Sequence, residues 1–500
     1  MPIKPSLASF NVPGAFVTEA SLGSIPAVLN THDTVYVLGS SVQVGAPVNI
    51  PTYISNQTDF TNVFGASPSA AAIDLFFNQR SGYGLFFVNV GMRVDQTLTV
   101  TVFALGTVLT ATIDGYAINY TCVTGDTATT ARDALGNLIN TQLPNTASYY
   151  PDGTLRYTSG LVVTASANIT LGSATTITTV KAKDVADSLK IAFQPEMRQG
   201  YLCAPEFFQS FTALSDRTFL QAQMEALVSN PSYYWVSVVD CGATTATQTT
   251  GGGAINAAIA ERNTFISPRG NSWYYFPYLK NITGTLIPSS LAVIGVALRR
   301  ARSEGFAQPP AGVTYPIYGV SDVSFKVTST IQSQMNPVGI NCIRNLPAGR
   351  GIVVYGARTL STSSFYRFGS VRIILNVLAG SLKIAFDSLI FSLVDGQGAL
   401  FSRVKQTAAA YCERLRLGGA LYGASPADAY LCIADLTNNT MDGLESGQVN
   451  LDVIVRPSPT MEVLNITLSR ASLGTVLAEI ASAGDTSAVA KPTASLTPTA

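Results

Sequence analysis

Between residues 34 and 90 the chain alternates short, wholly apolar runs with stretches of helical spacing. Val35, Tyr36, Val37 and Leu38 lead into Gly39 as a buried strand, and 52–54 predicts a second, shorter one. Asn56 is placed to cap a helix with Phe60 and Phe64 on one side, and 70–77 puts Ile73, Phe76 and Phe77 at i, i+3 and i+4. After Gly82 and Gly84, residues 85–90 form another apolar run, so the opening reads as α/β. Residues 97–190 change texture to Thr, Ser, Ala, Val and Ile with little charge. Strands are predicted there at 97–103, 108–113, 116–123 and 161–165, with one helix at 127–140, Asp126 as its cap and Asp114-Gly115 as a hairpin turn. The α/β rhythm then resumes: helix 206–230, strand 233–240, a glycine-rich polar loop 244–253, helix 254–265, an aromatic strand 272–278 and helix 289–305. The last third predicts long helices at 365–391 and 399–416 and strands at 429–434, 449–455 and 461–469. Neither end shares this patterning. Residues 1–21, with Pro2, Pro5 and Pro13, cannot build a core and are either floppy or paired with something else. Residues 482–500 have the Ala/Thr/Ser/Pro composition of a disordered tail.

Composition narrows the classes. At 500 residues the chain exceeds one ordinary domain, and 47% apolar residues supply ample core. Charged residues are only 12%, and thirty basic residues balance thirty acidic ones. Such a chain has no bulk field to steer it to nucleic acid or an acidic membrane, and its low charge suits association. One histidine, His32, is too few for histidine-rich zinc sites, and none of the six cysteines is spaced CxxC. Scattered cysteines read as buried thiols in a reducing compartment. The N-terminus has no apolar leader run, and apolar runs such as 291–298 are far short of a membrane span. Synthesis and assembly in cytoplasm are expected.

Candidate chemistry is thin. Thr250 followed by three glycines precedes a helix without a phosphate-loop motif, so a flexible loop is expected. Asp240 ends a strand where α/β enzymes place catalytic acids, but with no second titratable cluster nearby a capping or loop-anchoring role is expected. His32-Asp33 lacks any nucleophile motif and reads as a solvated loop pair. The sequons at Asn168, Asn281, Asn438 and Asn465 carry no weight without an export signal. Across the two late helices, Arg367, Arg372, Lys383, Arg403, Lys405, Arg414 and Arg416 face only Asp387, Asp395 and Glu413, a surplus of seven minus three, or four. That surplus is either a solvated face or a docking surface for an acidic partner. No cofactor or metal site is indicated. A self-assembling structural protein and a hydrolase-like enzyme with a cryptic site remain.

One region is more specific. Residues 336–360 read NPVGINCIRNLPAGRGIVVYGARTL. This resembles the signature of contractile phage tail sheath proteins, through Asn336, Gly339, Ile340, Asn341, Arg344, Gly351, Gly356, Ala357, Arg358 and Thr359, with Tyr355 where tryptophan is usual. The resemblance extends to PGAFVTE at 13–19, to 60–65 with 82–90, to the loop 306–320, to the long helix 367–387, to GGALYG at 418–423, to YLCIADLTNN at 430–439 and to 447–466. It spans both ends and much of the middle, outside 97–190.

The resemblance implies a multidomain α+β protein. Its parts would be an N-terminal arm (1–22), a middle α/β domain (23–96 and 191–350), an inserted outer β-rich domain (97–190), a C-terminal inner α+β domain (351–471) and a C-terminal arm with its tail (472–500). It implies a non-enzymatic, cofactor-free subunit that stacks as hexameric rings around an inner tail tube, in a virion or in a bacterially encoded injection system. Baseplate and tail terminator proteins would be further partners, with no nucleic acid and no membrane contact by the sheath itself. Arm residues Phe10, Val12, Phe16, Val17 and Glu19 would add a strand to a neighbour's C-terminal sheet. Gly23 and Gly474 would be hinges. Arg367, Arg372, Lys383, Arg403 and Lys405 are the candidates to face the tube.

Overall fold

Eight strands form one mixed sheet: β1 (Thr34–Gly39), β2 (Thr52–Ile54), β3 (Leu85–Asn89), β4 (Gly200–Cys203), β5 (Val236–Asp240), β6 (Ser272–Phe276), β7 (Ile340–Leu346) and β8 (Gly351–Val354). The order is β8-β7-β6-β5-β4-β1-β3-β2. The six central strands run parallel, and an antiparallel strand closes each edge, β2 beside β3 and β8 beside β7. Parallel strands covered on both faces need apolar side chains in both directions, and every residue of β1, β4, β5 and β6 is buried. Alternation divides them: Val35 and Val37 point into one core, Tyr36 and Leu38 into the other.

The helices of this part are α1 (Gln57–Phe64), α2 (Ala70–Asn78), α3 (Ala182–Ala192), α4 (Pro205–Ser210), α5 (Leu214–Val228), α6 (Gly251–Thr264), α7 (Ser290–Glu304) and α8 (Ser329–Met335). Helices α3 to α6 and α8 cover the Tyr36 face; α1, α2 and α7 cover the Val35 face. The last two long helices are α9 (Gly369–Asp387) and α10 (Ala399–Leu417). Ile373 and Val377 of α9 also enter the Val35-side core. This computed structural model describes residues 29–466 except 44, 92, 144–145, 159–160, 178–179, 195–196, 231–232 and 243–250. Met1–Pro459 form one compact unit; in the second, Thr460–Ala500, the described residues 460–466 have no regular secondary structure.

Several expectations shift. Strand β4 was not predicted, because four residues between a glutamine-glycine step and a proline carry too short a signal. The helix expected over 206–230 breaks at 211–213 into α4 and α5. The glycines 251–253, expected as loop, open α6. No strand occurs at 461–466. Helix α9 starts at Gly369 rather than 365, after a short turn at Ser364–Tyr366. By length and mean hydropathy (1.4) α9 would suffice to cross a membrane, unlike the apolar runs read from the sequence. Over half of that stretch is buried inside the protein, as in a core helix.

Residues 93–177 build a core of their own. Strands Arg93–Val100, Ala147–Tyr149, Thr154–Thr158, Ile169–Leu171 and Thr175–Ile177 form one sheet; Val108–Ile113, Tyr116–Thr121 and Val163–Ala165 form another; helix Ala128–Gln142 packs with them. Asp114 and Gly115 both have positive φ (51° and 83°), as a primed hairpin turn requires. Thr127, not Asp126, caps the helix, accepting from Thr130 N at 3.1 Å. Asp126 instead accepts from Tyr120 and Val123 N. The boundary drawn at 97–190 is displaced: the first strand starts at Arg93, and α3 lies in the main core through Val185 and Leu189. At the junction, Asp184 of α3 binds Arg93 and Arg156 at 3.4 and 3.2 Å.

Candidate functional site

The signature segment 336–360 is a brace. Pro337 lies in a single tight turn, and Gly339 leaves it in the left-handed region (φ 83°) with Thr359 O 2.7 Å from where a Cβ would stand. β7 then pairs with β8, from Ile343 against Val354 to Leu346 against Gly351. Asn341 is wholly buried and holds both backbone groups of Arg358, accepting its N–H and donating to its carbonyl at 2.7 Å. Arg358 in turn donates to Asn336 O at 2.9 Å. Arg344 lies 5.1 Å from the Tyr355 ring and donates to Gln332 and Ser329. Thr359 N donates to Arg367 O at 2.8 Å, and Gly369 N to Ala357 O at 2.9 Å, so the brace ends on the first turn of α9. Ile340 and Ala357 are buried and complete it.

Helices α9 and α10 make a small core, in which Ile374, Leu378 and Ala385 meet Ala408, Tyr411, Cys412 and Leu415. Asp395 starts α10, accepting from the N–H groups of Gln397, Ala399 and Leu400 at 2.9–3.0 Å. Those three donors hold its carboxyl below the usual carboxylate range. The basic candidates separate. Arg367, Lys383, Arg403 and Lys405 are exposed. Arg416 is committed to Glu413 through two contacts of 2.6 and 2.8 Å. Arg372 is half-buried, lies 5.7 Å from the Tyr366 ring and donates to Arg269 O; burial lowers its pKa. Ile384, Ile390, Phe391 and Leu393, at the end of α9 and just beyond it, are exposed.

Two further strands, β9 (Tyr430–Ile433) and β10 (Asp452–Val455), form an antiparallel pair with Leu431 opposite Ile454 and Cys432 opposite Val453. Cys432, Val453 and Val455 pack on α10, while Leu431 and Ile454 are 52% and 59% exposed. Among the described residues the pair accepts no third strand, apart from a single bridge of Leu421 with Pro457 beyond its end. A two-stranded ribbon is marginal alone, and its open edges present unpaired N–H and carbonyl groups.

This layout has known counterparts. No family model matches the chain, and no curated protein does. Solved structures do. The sheath of an extracellular contractile injection system (PVC, contracted state) aligns over 92% of this chain and 98% of its own at TM-score 0.57 and 17% identity. The anti-feeding prophage helical sheath in its contracted state covers 92% and 100%, at 0.56 and 17%. A chain of the sixfold-symmetrised anti-feeding prophage baseplate covers 93% and 100%, at 0.54 and 17%. The chain has the contractile-sheath fold.

Within this sheath fold the arm candidates Phe10, Val12, Phe16, Val17 and Glu19 and the hinge candidates Gly23 and Gly474 lie outside the described residues. The catalytic candidates take structural places. Asp240 caps α7: its Oδ1 accepts from Ser289 N and Ser290 N at 2.7 and 2.8 Å, and burial raises its carboxyl to about 6. All six cysteines are buried and unpaired. The description of His32 as solvated is corrected: it is 4% exposed, edge-on to Tyr201 at 4.7 Å.

Two buried clusters carried no sequence signal. Arg217 pairs with Glu261, which also accepts from Tyr274 at 2.9 Å and Gly242 N at 3.0 Å. A cavity of about 510 Å³ opens where β1 and β4 end, lined by Ser40, Ser69, Glu206, Phe207 and Leu286 among others. This is the place where open α/β sheets bind ligands. Its carboxylate, Glu206, is already engaged on both oxygens by Ser40 and Ser69. The described residues hold no group of three or more metal-ligating side chains.

Proposed function

We propose that this chain is the structural subunit of a contractile sheath, polymerising as stacked hexameric rings around an inner tube and contracting on a baseplate signal to drive that tube through a target envelope. The observation that carries this reading is the open-edged ribbon β9–β10 in a chain of sheath fold. A neighbour's extended arm added to either edge gains backbone hydrogen bonds without demanding particular side chains. The arm stretch 10–19 has the composition for that role, with the apolar Phe10, Val12, Phe16 and Val17 set among small and polar residues. Gly23 and Gly474 are the joints that take up ring rotation while the ladders stay paired. The exposed Arg367, Lys383, Arg403 and Lys405 meet an acidic tube surface. No nucleotide is required, since the work is stored at assembly and released as further burial. A bacterially encoded injection system is the second reading, favoured because one aligned sheath is that of an extracellular contractile injection system.

Negative-stain microscopy of the purified chain tests the reading. Striated tubes are expected from the full chain. A variant lacking residues 1–21 is expected to remain folded and to form none. Small globular particles from the full chain overturn the sheath reading, and long tubes from the truncated chain overturn the role of the arm.

A further inference from the structure

Residues 29–33 are the last stretch before β1, and they are clasped from two sides. Leu29 packs against both the Val35-side core and the core shared by α9 and α10. Asn30 N donates to Ser381 Oγ of α9 at 2.7 Å. His32 then turns inward onto the Tyr201 ring of β4. Among the described residues neither ring nitrogen of His32 has a hydrogen-bond partner, although the side chain is almost wholly enclosed. Gln199, just before β4 and two residues before Tyr201, is 3% exposed and, among the described residues, equally unpartnered at both ends of its amide, which lies against Gly380 of α9. Buried polar groups are almost always satisfied, and an enclosed neutral imidazole with no partner is held by its surroundings rather than by its own bonds.

We propose that residues 29–33 form an acid-labile latch, in which His32 must stay uncharged for the chain to remain clasped between β4 and α9. Among the described residues, the charged and titratable groups that face it offer no counter-ion. Arg372 from α9 is cationic and opposes protonation. Tyr201 from β4 is a buried phenol whose pKa is raised, so it stays neutral throughout. Asp33, on the same segment, accepts from Thr31 Oγ1. Glu225 of α5 interacts with Arg372.

Burial together with Arg372 pushes the His32 pKa from 6.5 down to about 3. The clasped state therefore binds fewer protons than the opened one between those values. The latch is intact above pH 6.5 and weakens as pH falls toward 3, by up to about tenfold in the open-to-closed ratio per pH unit. This device does not rest on the sheath reading; it belongs to the folded subunit.

Because His32 is the only histidine, its imidazole is directly observable by NMR in the full chain labelled at histidine. The titration midpoint should fall well below 6.5. Amide exchange measured by mass spectrometry, corrected for its intrinsic pH dependence, should show residues 29–33 losing protection from pH 6.5 downward while β1, β4 and β5 stay protected. His32→Phe keeps the ring contact and should abolish that dependence. A midpoint near 6.5 with protection of 29–33 retained overturns the latch. So does the same pH dependence in His32→Phe. If that variant does not fold, the two wild-type measurements still decide between a titrating imidazole that leaves the segment closed and one that opens it.

Discussion

Asn341 holds the peptide of Arg358 from both sides, its Oδ1 accepting from Arg358 N and its Nδ2 donating to Arg358 O, each at 2.7 Å. The same Nδ2 donates to Tyr274 O at 3.2 Å, so one side chain ties β6, β7 and the loop leading to α9. Gly356 passes so close that a Cβ there would stand 2.9 Å from Asn341. The signature segment is therefore a scaffold that fixes where α9 begins. Asn341→Ala would strand buried backbone groups, at about 1–3 kcal/mol each. A loss of at least about 2 kcal/mol is expected in urea unfolding. Unchanged stability would show that the loop is held by other bonds.

Glu225 sets a pH dependence opposite in sign to that of His32. It accepts from Ser267 at 3.0 Å and from Ser272, and burial raises its carboxyl to about 7. Asp240 is raised to about 6. An acid whose folded value lies above its unfolded one stabilises the fold below the unfolded value and loses that contribution as pH rises through the folded value. Stability should thus decline from about pH 4.5 to 7, with each unit of displacement corresponding to about 1.4 kcal/mol. Urea midpoints at pH 5, 6, 7 and 8 check this. Glu225→Gln should flatten the slope, and an undiminished slope would assign it to other groups.

What the sequence revealed follows from the range of the forces involved. The apolar runs at 35–38 and 272–276 are legible because a strand buried on both faces needs apolar side chains at every position. Asp240 was legible as a capping or loop-anchoring acid because its strand runs into a loop and no other titratable cluster lies near it in sequence. His32 was not: it packs on Tyr201 of β4 while α9 clasps the same segment at Asn30, and both elements are distant in sequence. Arg372, grouped in the sequence with the exposed cations, is half-buried for a related reason. Positions 372, 376 and 380 form one stripe of α9, and Asn376 donates to Trp235 O at 3.3 Å while Gly380 meets Gln199, so the stripe is turned inward. Helical spacing alone does not distinguish that face from the outer one. The open ribbon β9–β10 was legible as two strands, but that no third strand joins it among the described residues is a property of the assembled fold.

The displaced boundary of the insertion predicts two different outcomes for two excisions. Replacing 94–177 by a short Gly/Ser linker removes the separate core and leaves α3 packed on Tyr36, Leu202 and Phe207. Replacing 97–190 also removes most of α3, with Val185 and Leu189, and exposes that apolar surface. Losses of about 2–5 kcal/mol are typical for truncating even a single large buried side chain to alanine. The first variant should unfold cooperatively near the full chain, and the second should be insoluble or molten by circular dichroism. Equal behaviour of the two would mean that α3 is dispensable.

Charge reversal separates the tube-facing proposal from simple destabilisation. Arg372 is half-buried against Tyr366 and the 269 loop, so Arg372→Glu would place an unpaired carboxylate in a partly buried position and weaken the subunit itself. Arg403 and Lys405 are exposed on α10, where substitution should shift subunit stability by no more than about 0.5 kcal/mol. Each exposed ion pair with a tube carboxylate is worth only about 0.2–1 kcal/mol, but the term repeats in every subunit of the polymer. Arg403→Glu with Lys405→Glu should therefore leave the unfolding midpoint in place, leave tube-free polymers intact, and reduce co-sedimentation with inner tubes, most visibly at low salt. Addition of salt should narrow the difference between wild type and variant, because screening removes the attraction from one and the repulsion from the other. If the double variant coats tubes as well as wild type at low ionic strength, α10 does not face the tube. Lys383 and the exposed apolar side chains Ile384, Ile390 and Phe391 would then be the next surface to alter.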